Sequence, residues 1–507
     1  LSLSKNEPFC PIIQYLNSVY LSPMVNIFKQ KTEINLVDGG TKELIKKMIL
    51  FTLPIILIGI LQLLYSAFDL IVVQSHDGNI AAAAVGANNS LISLITGGFL
   101  GLANGVNVVV ARAYGKNDKD GCSKALHTAI LVSLIGGIFI GIFGALLSRY
   151  FLIWMKVDSS YLEFANTYLT IYFIGLPFLS VYNFGTAVLR GVGNSITPLF
   201  FLIICGCLNV GLNYLFVYGF NLSVAGVAWT TVISEFLSAV LVVVYLLFNK
   251  GFTKLDFHKF RIDQEKLKEI LRIGIPSGIQ GVIFSISNVI LQTSVNQWGP
   301  DIVAANSDAS SIEGFTYISI FAMDSTASAF VSANYGRGFK KNIRKIHLIV
   351  SIMVVVIGAV VGGVSLILRD QLLAIYMGEN VDPEVAKYAS ERLFVILSTY
   401  SLCGLMDSEC GVLRGLGYSI FPSFITLFFC CIFRIFWDFC VYSSDPSSSM
   451  HSLGILYACY PISWTGAYLS ELILYHALRK KYEPRIDKNL EIYNANQLLV
   501  GNKTSNN

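Results

Sequence analysis

The sequence predicts an all-α integral membrane protein whose twelve transmembrane helices form two pseudo-symmetric six-helix bundles. Composition, the recurrence of long apolar runs and an internal repeat each point that way. Apolar residues make up 54% of the 507 positions and charged residues only 13%, with a mean hydropathy of +0.62. Soluble domains carry about twice that share of charge. Runs of about 20 apolar residues, each long enough to cross roughly 30 Å of hydrocarbon as a helix, recur along the whole chain. Backbone amides inside a bilayer must be satisfied by helices or a closed barrel. The ten-residue alternation of a barrel strand is absent, so the spans are helical.

Taken in order, the first six spans cover about 48–73, 81–111, 125–147, 161–189, 197–220 and 223–248. The second six cover about 270–298, 303–333, 343–368, 391–413, 420–442 and 452–478. These bounds divide the chain into a tail (1–41), an N-lobe (42–249), a linker (250–268), a C-lobe (269–481) and a second tail (482–507). Residues 1–41 are polar and mixed and show no secretory signal. Basic residues concentrate on cytoplasmic segments, and placing both termini inside puts roughly 30 of the 36 Lys and Arg residues on that side. Only about five then face outward (Arg149, Lys156, Arg369, Lys387 and Arg392), which gives a multi-pass protein of the inner (plasma) membrane. The ten cysteines lie mostly in apolar runs without metal-like spacing and read as small buried hydrophobes.

The two halves repeat at a distance of about 222 residues. Val188 to Pro198 (VLRGVGNSITP) is echoed by Val412 to Pro422 (VLRGLGYSIFP), with eight of eleven positions identical. Tyr114-Gly115-Lys116 returns as Tyr335-Gly336-Arg337, and Leu53-Pro54 as Ile275-Pro276. An even number of spans per half makes the repeat parallel, related by an axis along the membrane normal. Two matched bundles then enclose a central cavity. The LRGxG segments read as tight turns whose arginines, Arg190 and Arg414, anchor at the inner headgroups. Pro54 and Pro276 fall inside spans, where proline kinks a helix, and are candidate hinges.

Ionisable residues inside a bilayer need a partner or a role. Asp69 sits in the first span, roughly 6 Å from its expected outer end. Asn209 and Asn213 share one face of the fifth span, and Thr231 enters the sixth span to similar depth with Glu235 one turn deeper. Oxygen ligands of this kind suit a hard monovalent cation, and a carboxylate in a dry cavity suits a proton. In the second half Glu313 is a buried candidate, while Asp324, Asp407 and Glu409 read as solvated near the inner ends. His127 reads as interfacial, and Arg434 and Asp438, four apart, as a mutually neutralising pair. Tyr65 and Phe68 are positioned beside Asp69 to stack on aromatic cations. No phosphate-binding GxxxxGK[ST], HExxH or GxSxG motif occurs, so ATP-driven transport and those enzyme classes have no support.

From Lys42 to Lys481 the chain resembles the multidrug and toxic compound extrusion (MATE) family, and within it the bacterial DinF-like branch. The resemblance rests on Leu53-Pro54 with Gln62, Tyr65 and Asp69, on Leu189 to Asn194, on Asn209 to Asn213, and on Ala225 to Ala228. Ile312-Glu313-Gly314 and Leu413 to Gly417 complete it. It implies a two-lobed secondary transporter, not an enzyme, that exports drugs, organic cations and other amphipathic compounds in exchange for Na+ or H+. It needs no other cofactor and no nucleic acid, and is expected to work as a monomer in the lipid bilayer.

Carried over by position, the coupling site is Asp69 with Asn209 and Thr231, where Na+ is one candidate ion, supported by Asn213 and Glu235. Many relatives have aspartate at the position of Asn213, and Glu235 stands as a compensating carboxylate. Glu313 and Asp407 form a possible C-lobe polar site, and Gln62, Tyr65 and Phe68 are expected to line the substrate path. A flippase for lipid-linked precursors or polysaccharides is the near alternative, and a membrane-embedded enzyme or receptor the remote one.

Overall fold

The computed structural model describes residues 33–37, 39–249, 251–377, 383–442, 448, 450 and 452–504, and among these the ordered elements are helical. In the first half, α1 (Thr41–Gly115), α2 (Lys119–Trp154), α3 (Leu162–Gly191), α4 (Ile196–Tyr214) and α5 (Ser223–Phe248) follow one another with short turns. The second half contains α6 (Gln264–Val295), α7 (Pro300–Arg337), α8 (Lys340–Ile367), α9 (Arg369–Met377), α10 (Pro383–Ser398), α11 (Tyr400–Gly415), α12 (Ile420–Thr426), α13 (Phe433–Cys440) and α14 (Leu453–Thr504).

These helices make twelve spans. As a single rod the 75 residues of α1 would run about 112 Å, far beyond one bilayer. It breaks at Gly78, whose φ of 79° and ψ of −169° are open to glycine, and so supplies two spans. α10 and α11 meet at 46° and form one broken span. α12 and α13, joined by the widened π-type turn Leu427–Ile432, form another. The same kind of turn, Leu215–Gly219, extends α4 in the first half.

The repeat extends to packing. Gly137 and Gly141 bring α2 against α3, where an added Cβ would lie 2.6 Å from Pro177 Cα and 2.7 Å from Phe173 O. Gly358 and Gly362 bring α8 equally close to Ser401 and Leu397. Lipid tails supply little drive for helices to associate, so close backbone approach through small residues holds each bundle together. The LRGxG segments end in tight turns, with Gly193 at φ 87° and Gly417 at φ 92°.

The lobes meet near the basic end of the bundle. Gly101 packs on Gly278, Gly105 on Gly274, Gly115 on Ala333, and Gly336 on Arg112. Thr52 and Thr326 share a hydrogen bond of 2.8 Å, and Arg112 donates to Gly415 O at 3.4 Å. Residues 33–37 lie in this seam. Ile34 N donates to Gly193 O at 3.0 Å, while Asn334 and Asn342 donate to Leu36 O and Val37 O at 2.9 Å each. α14 continues past its span and docks there too: Asn489 donates to Tyr335 O at 2.9 Å, and Asp487 pairs with Lys340 at 2.6 Å. Helix thus runs well into the segment expected as a tail from 482. His127, expected at an interface, is buried beneath the linker, its Nδ1 2.7 Å from Ser123 O and its Nε2 within 3.0 Å of the Asp256 backbone.

Candidate functional site

Within the N-lobe, α1, α4 and α5 converge on Asp69. α1 stays helical to Gly78, so Asp69 lies about 14 Å along the helix from that break, and the helix continues five residues past the expected end of the apolar run at Val73. The carboxylate is buried. Asn213 donates to Asp69 Oδ1 at 2.6 Å and to Asn209 Oδ1 at 3.3 Å. Thr231 reaches Asp69 Oδ2 at 3.4 Å and returns a 3.0 Å bond to Val227 O. Thr230, which the sequence did not single out, bonds Asn213 Oδ1. Thr230 and Thr231 both enter from one helix edge, and periodicity could not reveal that each of two consecutive hydroxyls would find a partner.

The orientation of the Asn213 amide follows from charge. An amide oxygen set 2.6 Å from an ionised carboxylate oxygen would be repelled, so the NH2 faces Asp69 and the carbonyl faces Thr230. Glu235 lies one turn beyond Thr231 on α5, and no hydrogen bond joins it to Asp69 among the described residues. Its Oε2 is buried without a partner, close to Gly175, where an added Cβ would sit 2.8 Å away.

The hydrophobic shell around this cluster includes Val72, Val73, Val217, Val227 and Val232, so its polar groups work in a dry setting.

Between the lobes lies a cavity of about 370 Å³. Gln62 lines it, whereas Tyr65 packs against Gly206 and Phe68 is exposed outside it. Its charged lining is Arg190, Arg414, Asp324 and Asp407. Three expectations fail here. Arg414 is buried rather than anchored at headgroups, holding Asp324 with two 2.8 Å bonds and donating to Gln280 at 3.3 Å. Asp324, Asp407 and Glu409 are all buried, not solvated, and two of them have basic partners, Arg414 on Asp324 and His347 2.6 Å from Glu409. Arg190 faces the cavity with its partner in the repeat.

The C-lobe holds a second cavity of about 380 Å³. Glu313 lines it and is held bidentately by Arg392 at 2.7 and 2.8 Å, with Arg392 Nη1 on Asn306 Oδ1 at 2.8 Å. Arg392, expected to face outward, is buried, because α10 carries it into the lobe. Arg434 and Asp438 do not pair. Arg434 Nε donates to Ser463 at 2.9 Å, and Asp438 accepts from Ser294 at 2.7 Å, so the two side chains leave the helix toward different neighbours. Glu313 lines this cavity and Asp407 the central one, and Gly281, Phe284 and Tyr317 line both. Pro54 and Pro276 sit within α1 and α6, and Ser423 donates to Pro276 O at 2.8 Å.

The MatE family model matches residues 54–215 and again 276–440, one match in each half. The chain belongs to the MatE family. Among its relatives is the probable multidrug resistance protein YoeA of Bacillus subtilis, 24% identical over 76% of this chain and 84% of that one. Another is YpnP of the same organism, 28% identical over 60% and 68%. The multidrug export protein MepA of Staphylococcus aureus is 20% identical over 74% and 79%. A MATE crystal structure in complex with MaL6 superposes with a TM-score of 0.80, covering 89% of this chain and 99% of the other at 20% identity. An outward-facing multidrug resistance MATE transporter of the MOP superfamily gives 0.79, over 88% and 99% at 21% identity. This MatE protein therefore has the twelve-span, two-lobed fold, a multi-pass membrane architecture.

Proposed function

We propose that this protein exports small amphipathic molecules, many of them cationic, across the plasma membrane in exchange for an inward cation bound at Asp69. Both termini face the cytoplasm, on the side where Arg112, Arg337 and the linker gather. The glycine seam packs the lobes tightly at that end, which supports release of cargo from the central cavity toward the opposite face. The observation that carries the reading is a buried carboxylate held, among the described residues, by neutral amide and hydroxyl groups from two other helices. Such a carboxylate changes its protonation state without abandoning a fixed counter-charge.

The donor set favours H+ over Na+. Asn213 directs amide hydrogens toward Asp69 and Asn209, so neither group is free to offer all its oxygens to a metal. A proton on Asp69 turns an acceptor into a donor. With the proton on Oδ2, Oδ1 still accepts from Asn213 while Oδ2 donates to Thr231, whose own hydrogen stays on Val227 O, so the change is felt at the contact between α1 and α5. The central cavity supports amphipathic rather than polyanionic cargo, because its two arginines are balanced by two carboxylates. Arg190 and Arg414 do favour the lipid-linked precursor flippase as second reading. Dye efflux into inside-out vesicles, driven separately by proton and sodium gradients, tests the first. Proton-driven flux lost in Asp69→Asn supports it; flux that is independent of Asp69, or lipid-linked pyrophosphate movement without dye flux, rejects it.

A further inference from the structure

Arg434 is one of the most deeply buried charges in the protein, 1% exposed, on the helix that walls the C-lobe cavity. Among the described residues, none neutralises it. Nε is taken by the Ser463 hydroxyl, and Nη2 has no hydrogen-bond partner. The Tyr460 ring lies 4.3 Å from the guanidinium carbon, with Phe284 and Trp464 each at 6.0 Å. Asp438, the carboxylate one turn away, faces Ser294. The other charges lining this cavity are Glu313 and Arg392, and they cancel each other in a bidentate pair. One uncompensated positive charge therefore remains against a space of about 380 Å³, within the range that holds drug-sized ligands.

We infer that this cavity binds an amphipathic aromatic molecule through a single carboxylate placed on Arg434. A guanidinium presents planar donors matched to a carboxylate, and faces of Tyr460, Trp464 and Phe284 supply the apolar surround. Burying an arginine without a counter-ion is costly, and aromatic faces recover only part of that cost. A carboxylate ligand completes the pairing that the protein leaves open. The tyrosine hydroxyl of Tyr460 is already engaged with Asn288 at 3.2 Å, so its ring, not its hydroxyl, faces the ligand. The site goes beyond the proposed export reading, since it assigns anionic ligands to the C-lobe whatever ion drives transport.

Equilibrium dialysis of the purified full chain in detergent, with no gradient present, separates this site from the export reading. The probes are 1-naphthoate, its uncharged amide and the matching naphthylmethylammonium. The acid is expected to bind at least about tenfold more tightly than the amide, and the ammonium more weakly than both. Arg434→Gln should bring the acid to the level of the amide while leaving amide binding in place, and Arg434→Lys should retain part of the preference. Equal binding of acid and amide by the unaltered protein overturns the inference without recourse to any variant. A preference that survives in Arg434→Gln also overturns it. So does thermal stabilisation by sodium chloride that depends on Arg434 while 1-naphthoate adds nothing, because the site would then belong to an inorganic anion.

Discussion

The two lobes share one scaffold but hold Asp69 on one side and Glu313 and Asp324 on the other in opposite ways. In the N-lobe Asp69 is surrounded by Asn213 and Thr231, neutral groups that accept either protonation state after small rotations. In the C-lobe Glu313 and Asp324 are each clamped by an arginine, Arg392 and Arg414. Advancing Asp69 by the repeat distance of about 222 residues lands on Leu291, a buried residue lining the C-lobe cavity. Duplication thus preserved what packing requires, namely the close-packing glycines and the prolines Pro54/Pro276 and Pro198/Pro422, while the polar interior diverged. A carboxylate held by neutral partners is free to exchange a cation. One held by a guanidinium is fixed, because protonating it would strand a buried positive charge.

The contrast breaks most visibly in a pair of isosteric changes. Asp69→Asn should reduce dye efflux from intact cells to the vector background with little change in the thermal unfolding of the purified protein. Glu313→Gln should do the reverse in kind. It leaves Arg392 buried and unpaired and should cost about 3–5 kcal/mol of stability, read as a lower unfolding temperature in detergent. If Asp69→Asn destabilises as much as Glu313→Gln, the division between exchangeable and fixed carboxylates fails.

A smaller effect is expected where the N-lobe network is redrawn. Asn213→Asp places a second carboxylate 2.6 Å from the first and removes the amide donor. Efflux should weaken several-fold under a proton gradient and acquire a dependence on sodium, measured in vesicles at fixed membrane potential. Ser463→Ala, in the other lobe, removes the hydroxyl that holds Arg434 Nε and should cost about 1–3 kcal/mol with efflux of cationic dyes retained. The smallest change is expected from Glu235→Gln. This carboxylate is not hydrogen-bonded to Asp69, so only a modest shift in the pH or sodium dependence of efflux should appear. No shift at all would remove Glu235 from the coupling site.

Much of the architecture was legible in the chain. Hydropathy and charge placement define the twelve spans, because a bilayer forces backbone satisfaction within each segment. The VLRGxGxSIxP repeat reveals the duplicated half, and helical spacing puts Asn209 and Asn213 on one face. What the tertiary structure decided was which charges meet. Sequence spacing suggested that Arg434 and Asp438 would pair, but their contacts run to Ser463 and Ser294 on different helices. Charge placement put Arg392 among the outward-facing basic residues and Arg414 at the headgroups, and both are buried partners of carboxylates far along the chain. Periodicity reports the direction of a side chain from its own helix axis. The choice of partner depends on how neighbouring helices are rotated and how closely glycines let them approach, and a one-dimensional pattern does not encode that.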